Sequence, residues 1–176
     1  MKIKDVIEIL KEEGTWVRWN RCTRDRILFG NAKQEVKKIG VCWVATNKVI
    51  EQALEKGINF IVSHENIFYT TGTHLETKLV ESIEHKKGLL SKGNICVYRC
   101  HDVWDSIPNY GVSDVWAKKL GFDFRDRVIN SYYQSANIPK QTVSQLAKHV
   151  ASVLKEDGEE GVYVFGNVNK EVSHLA

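Results

Sequence analysis

Proline is scarce in this chain, with two among 176 residues, and so is an excess of either charge, since 25 lysines and arginines nearly balance 22 aspartates and glutamates. Few prolines with 43% hydrophobic residues exclude a disordered chain and fit a folded one. A net charge of +3 gives no ground for a nucleic-acid partner. No stretch approaches the roughly 20 apolar residues a membrane helix needs. The opening MKIKDVIEILKEEG is charged and amphipathic and lacks the apolar core of a signal peptide, so a cytoplasmic location is expected. Internal repeats and low-complexity tracts are absent. At 20.1 kDa the chain suits one domain over residues 1–176.

Cysteine is also sparse. Cys22, Cys42, Cys96 and Cys100 show none of the paired spacings of a structural zinc site. Cys96 and Cys100 lie four apart in an expected strand, hence about 13 Å apart along it. A disulfide spans about 7 Å between Cα atoms at most. The plain reading is two small buried hydrophobes in a reducing compartment, with a zinc site at Cys100 and His101 as the alternative.

Against these absences stands Gly57–Tyr69, GINFIVSHENIFY. Ile58, Phe60, Ile61 and Val62 form a short apolar run after a glycine, the pattern of a strand buried on both faces. It stops at Ser63-His64-Glu65-Asn66, and ligands of open α/β sheets gather beyond the carboxyl ends of strands. A second strand, Ile95–Arg99, runs into His101-Asp102-Val103-Trp104-Asp105 in the same way.

The elements around these ends alternate. A helix is expected over residues 3–13, stopped by Gly14. A short strand follows at Ile27–Gly30 and a stronger one at Lys38–Ala45. Thr46 caps a helix from Asn47 to Lys56, completing a βαβ unit with parallel strands. A loop over residues 70–74 leads to a helix from Leu75 to about Leu90 and a second βαβ unit. Further on, a helix ends at Gly121, an edge strand is expected over Val128–Ala136, and Pro139 with the capping box Thr142–Gln145 opens an amphipathic helix. Gly161–Phe165 and Val172–Ala176 read as closing strands, the last either a natural edge or the point where a longer protein continues. The fold class is α/β, a mixed, mainly parallel sheet flanked by helices.

The two strand ends together offer two imidazoles and two carboxylates, His64, Glu65, His101 and Asp105. Histidine binds borderline metals as neutral imidazole, and carboxylates can bridge two ions. Asn66 suits the turn that would bring His64 and Glu65 together, and the four-residue spacing of His101 and Asp105 puts both on one side of a helical turn. No serine or cysteine reads as an activated nucleophile, so water activated by metal is the economical chemistry. The plain alternative is a set of hydrogen-bonded pairs that tie loops together. His74, His85 and His149 read as surface residues. In Trp16–Arg26, Arg18, Arg21 and Arg24 with two tryptophans offer a grip for phosphate or a stacked base, or simply a loop with packed indoles and solvated guanidinium groups.

The segments DRILFG, KIGVCWVAT–helix–INFIVSHEN, VYRCHDVWD, NYGVSDVWAKKLG and YVFGNVNKEVSHLA resemble the Nif-three-like family, the GTP cyclohydrolase I type 2 homologues. The resemblance implies a dinuclear metal centre, with two ions of iron, zinc or manganese, in a toroidal homohexamer. The expected ligands are His64, Glu65 and Asp105, with Asp105 bridging, and His101 is expected close by as ligand or proton-transfer group. Glu65 stands where a second adjacent histidine is usual. Family members add a histidine and a glutamate near their C-terminus, and His174 matches neither. Two functions are thus expected in competition: metal-dependent hydrolysis of a nucleotide-like or phosphorylated small molecule, or a non-catalytic oligomeric scaffold, regulator or metal-binding module.

Overall fold

The computed structural model describes residues 1–68, 77–123 and 134–176. The loop over 70–74 with His74, and most of the edge strand expected over 128–136, lie outside them. The contacts divide the chain into two compact units, Met1–Trp104 and Asp105–Ala176.

The first unit holds α1 (Ile3–Glu13), β1 (Arg26–Phe29), β2 (Ile39–Cys42), α2 (Asn47–Glu55), β3 (Phe60–Ser63), α3 (Thr77–Lys92) and β4 (Cys96–Arg99). Its sheet runs β1-β4-β3-β2. β2, β3 and β4 are parallel and β1 is antiparallel to β4. Parallel strands demand crossovers, and α2 and α3 supply them, as the two βαβ units anticipated. Thr46 caps α2 by accepting the Val49 amide on its hydroxyl.

Alternation along the central strands sorts the core into two layers. Ile61, Ile95 and Val97 point to one face and pack with Ile50, Ala53 and Leu90. Phe60, Cys96, Tyr98 and Cys100 point to the other and meet Ile3 and Ile7 of α1 and Val103. Cys96 and Cys100 are thus buried apolar residues on one face, and all four cysteines are free. Gly30 (φ +85°) follows β1 where the chain crosses β4 so closely that a Cβ would sit 2.6 Å from the Ile95 carbonyl oxygen.

A five-residue helix, α4 (Asp102–Ser106), straddles the division between the units. The second unit continues with α5 (Val112–Leu120), β5 (Ala136–Thr142), α6 (Val143–Leu154) and β6 (Glu171–Leu175). Gly121 ends α5 in the left-handed conformation. β5 and β6 pair antiparallel. Thr142 and Gln145 form the expected reciprocal capping box at α6. Two expectations need correction. Pro139 lies inside β5 rather than opening the helix, between Asn137 and Gln141 where the register with β6 shifts. A residue without an N–H fits such an irregularity in a two-stranded sheet. Gly161–Phe165 is not a strand: it has no ladder partner among the described residues, and Tyr163 and Phe165 are 95% and 94% exposed.

Candidate metal centre

The carboxyl end of β3 is tied back to the end of β2. The His64 amide donates to the Cys42 carbonyl at 3.1 Å and the Glu65 amide to the Trp43 carbonyl at 2.8 Å, while the Ser63 hydroxyl reaches the Glu65 carbonyl at 3.0 Å. Asn66 closes the turn as its residue type suggested, accepting the Phe68 amide on its side chain at 3.3 Å. His64 is therefore held by its backbone as it leaves the sheet. Its ring stacks on Trp43 (centroids 3.9 Å apart, planes at 12°) and on His101 (4.6 Å, 28°).

The end of β4 is held by a residue that sequence reasoning passed over. Asp25, 5% exposed, accepts the amides of His101 at 2.6 Å, Asp102 at 2.7 Å and Val103 at 3.1 Å. These are the orphan amides at the start of α4, gathered on one carboxylate. Burial pushes the Asp25 carboxyl up, against the three amide donors that favour its charged form, and Asp102 nearby pushes it further. Its signal in the sequence was faint: a lone acid between Arg24 and Arg26. Only the pairing of Arg26 with Arg99 places it beside the start of α4.

Asp102 makes the next layer. It accepts the Arg24 amide at 2.8 Å, and its other oxygen lies 3.0 Å from His101 Nδ1 and 3.6 Å from the Arg24 guanidinium. Burial alone would raise this carboxyl, but the Arg24 amide, the Thr23 hydroxyl and His101 outweigh it and hold it below the usual range. A charged carboxylate only accepts, so the proton of a neutral His101 sits on Nδ1 and leaves the Nε2 lone pair for another partner.

Three expected residues meet. Donor atoms of His64, His101 and Asp105 all lie within 4.8 Å of one another. Asp105 sits in the same short helix as Asp102, so the turn anchored by Asp25 delivers both the imidazole and the carboxylate. An ion about 2.1 Å from each ligand holds donors within roughly 4.2 Å of one another. Two imidazoles with one carboxylate form a donor set suited to zinc, iron or manganese.

Glu65 is not in that cluster. Its Oε2 takes a 2.8 Å ion pair from Arg99 Nη2, and its Oε1 lies 3.7 Å from His64 Nδ1. Nor do the arginines gather there: Arg18 and Arg21 are exposed, and Arg24 is engaged with Asp102. Beside His64 opens an apolar groove of about 470 Å³, lined among others by Val41, Trp43, Val62, Cys100 and Trp104.

Comparison with known proteins extends the resemblance to the whole chain. A family model described as Duf34/NIF3 (NGG1p interacting factor 3) matches residues 1–176. A Clostridium perfringens protein named GTP cyclohydrolase 1 type 2 homolog is 26% identical over 187 residues, covering 100% of this chain and 68% of the relative. A Staphylococcus aureus protein of the same name is 28% identical over 171 residues, covering 94% of this chain and 44% of the relative. The chain thus spans between 44% and 68% of the length of these relatives. Among solved structures, a Bacillus cereus protein related to NIF3 superposes with a TM-score of 0.73 at 12% identity, over 99% of this chain and 75% of that one. A Staphylococcus aureus hypothetical protein gives a TM-score of 0.71 at 20% identity, over 99% and 70%. These likenesses concern the fold.

Proposed function

This chain belongs to the Duf34/NIF3 family, and on that premise we propose that it is a metal-dependent hydrolase of a nucleotide-like or phosphorylated small molecule. The observation that carries the reading is the meeting of His64, His101 and Asp105 at adjacent strand ends. These residues would hold a divalent ion, zinc, iron or manganese. Such an ion supplies Lewis acidity and lowers the pKa of water enough to make it a nucleophile near neutral pH.

The protein's own part is positioning. Asp102 fixes the His101 tautomer, Asp25 fixes the backbone that carries it, and the Trp43 ring limits the rotation of His64. His101 is assigned to the ion rather than to proton transfer, because a ring with one nitrogen on Asp102 and the other on metal has no lone pair left for a proton. Arg24, tethered one carboxylate away from His101, is the arginine best placed to meet a substrate phosphate, with Arg18 and Arg21 on the same exposed segment.

The test is metal content by mass spectrometry on protein purified without chelator, together with hydrolysis of a panel of nucleotides and phosphate esters. Wild type should carry metal and turn over at least one substrate, and Asp105→Ala should lose both. An unchanged metal content in Asp105→Ala rejects the site.

A second reading has its own observation. Among the described residues β2 lies at the edge of its sheet, with Val41 81% exposed and Trp43, just after the strand, 57% exposed, apolar surface of the kind proteins normally cover. It favours a homo-oligomer, a hexamer by family resemblance, acting as scaffold or regulator. Light scattering gives the mass. Metal retained without turnover across the panel, in an oligomer that Val41→Lys breaks, would favour this reading over the enzyme.

A further inference from the structure

We propose that the cavity beside His64 seats an uncharged benzenoid ring, and that the substrate is therefore a phosphate ester of an apolar aromatic group and not a nucleotide. The inference narrows the hydrolase reading above, on which the word substrate rests. The seat for the ring rests on the cavity alone.

The cavity follows from how α1 lies on the sheet. Ile3 and Ile7 of α1 pack with Phe60, Cys96 and Tyr98. In the parallel ladder Ile39 pairs with Phe60 and Val41 with Val62, so these two β2 residues share the face that α1 covers. Yet the helix leaves both exposed. Val6 and Leu10 of α1 supply another wall, and the space enclosed is about 470 Å³, within the range of small-molecule sites. Every residue that lines it belongs to Met1–Trp104.

Two features select the occupant. The first is charge. Among the described residues no lysine, arginine, aspartate or glutamate lines the cavity, and its polar side-chain atoms are confined to the His64 imidazole, two thiols and two indoles. A charged group entering it would lose hydration without gaining a counter-charge, so the part of the ligand that enters is neutral. The edges of a purine or pyrimidine carry several donors and acceptors, and each one buried without a partner weakens binding about tenfold. A benzenoid ring carries none. The second feature is aromatic surface. Trp43 lies nearly parallel to His64 with ring centroids 3.9 Å apart, and both Trp43 and Trp104 line the cavity while remaining exposed. A flat ring gains offset stacking on such indoles that an aliphatic chain does not. Since His64 belongs both to this wall and to the candidate centre, a ring stacked here has its substituent beside that centre. Trp43 is on this account a specificity residue.

The experiment titrates the full chain, freed of metal, with 1-naphthyl phosphate, 1-naphthol, inorganic phosphate and guanosine monophosphate by calorimetry. Both naphthyl compounds should bind at least tenfold more tightly than the other two. Trp43→Ala should weaken them about tenfold, and Trp43→Phe, which keeps a ring, by less. Val41→Asp places a charge at an exposed wall and should weaken them at least tenfold; circular dichroism checks each fold. If Trp43→Ala does not fold, Val41→Asp decides. Guanosine monophosphate bound as tightly as naphthyl phosphate overturns the proposal. So does naphthol affinity that neither substitution moves, since the ring would then sit elsewhere. A wild type that excludes naphthol because a second copy covers this face, seen as an oligomer that Val41→Asp breaks, overturns it as well. The hydrolase reading fails separately: Asp105→Ala should leave naphthol binding unchanged, and a wild type that takes up no metal yet binds naphthol defeats that reading while the seat stands.

Discussion

Replacing Asp25 by alanine tests the proposition that one buried carboxylate builds the second strand end. The change removes the acceptor for three amides at 2.6, 2.7 and 3.1 Å. A buried amide left unsatisfied costs about 1–3 kcal/mol, so three set an upper bound near 9 kcal/mol. Two effects reduce it. Removing Asp25 also removes the cost of burying it, the same desolvation that pushes its carboxyl up, and water can enter the space left behind. A net loss of about 2–4 kcal/mol follows, large against total stabilities of 5–15 kcal/mol. Asp25→Asn keeps one oxygen for two of the amides and turns an NH₂ toward the third, so about 1–2 kcal/mol is expected. The assay is urea unfolding followed by circular dichroism. With a slope near 2 kcal/mol/M, the alanine variant should lose roughly 1–2 M in midpoint. Asp5→Ala is the control: its carboxylate accepts one exposed amide, that of Lys2, and about 1 kcal/mol or less is at stake. Where the Asp25 variants stay folded, displacement of His101 should weaken metal binding about 10–100-fold. An alanine variant as stable as wild type, or a folded one with unchanged metal affinity, refutes the reasoning.

Three further outcomes follow from individual groups. The Tyr98 hydroxyl is buried with no hydrogen-bond partner among the described residues, so Tyr98→Phe should leave stability unchanged or raise it by about 1 kcal/mol in the same urea assay; a loss of that size would mean the hydroxyl has a partner. Asp102 is held below the usual carboxylate range, so its share of stability is present above the unfolded value near pH 3.9 and is lost as pH falls through the lowered folded value. Acid unfolding below pH 4 should therefore be shallower in Asp102→Asn than in wild type, and parallel curves would show that the carboxylate is not stabilised in the fold. Asp25 carries the opposite sign, its share present at low pH and lost as pH rises through its raised value, so it stays in place in both proteins. Cys22 is exposed whereas burial pushes the Cys96 thiol up to about 11 and raises Cys42 as well. Iodoacetamide at pH 8, read by peptide mass spectrometry, should modify Cys22 first and Cys96 only after unfolding; early labelling of Cys96 would contradict its burial.

What could be read in the sequence, and what could not, divides along the range of the interactions. Thr46, the Thr142–Gln145 box and Gly121 act within one helical turn, and the structure has each in its expected role. The apolar runs of β3 and β4 show burial directly, and two βαβ units leave little choice of strand direction. Gly161–Phe165 misled because an apolar alternation becomes a strand only if a partner offers its edge, and periodicity carries no information about partners. The candidate centre shows the same limit. His64, His101 and Asp105 sit at strand ends, where topology alone brings ligands together. Glu65 looks equivalent to them in sequence, and what separates it is Arg99, 34 residues away and aligned with it only by the β3–β4 register. Asp25 depends in turn on the antiparallel register of β1 with β4. Register thus decides which carboxylates join the candidate centre and which serve as struts. A one-residue slip of β4 against β3 would take Arg99 away from Glu65 and leave that carboxylate without its strut.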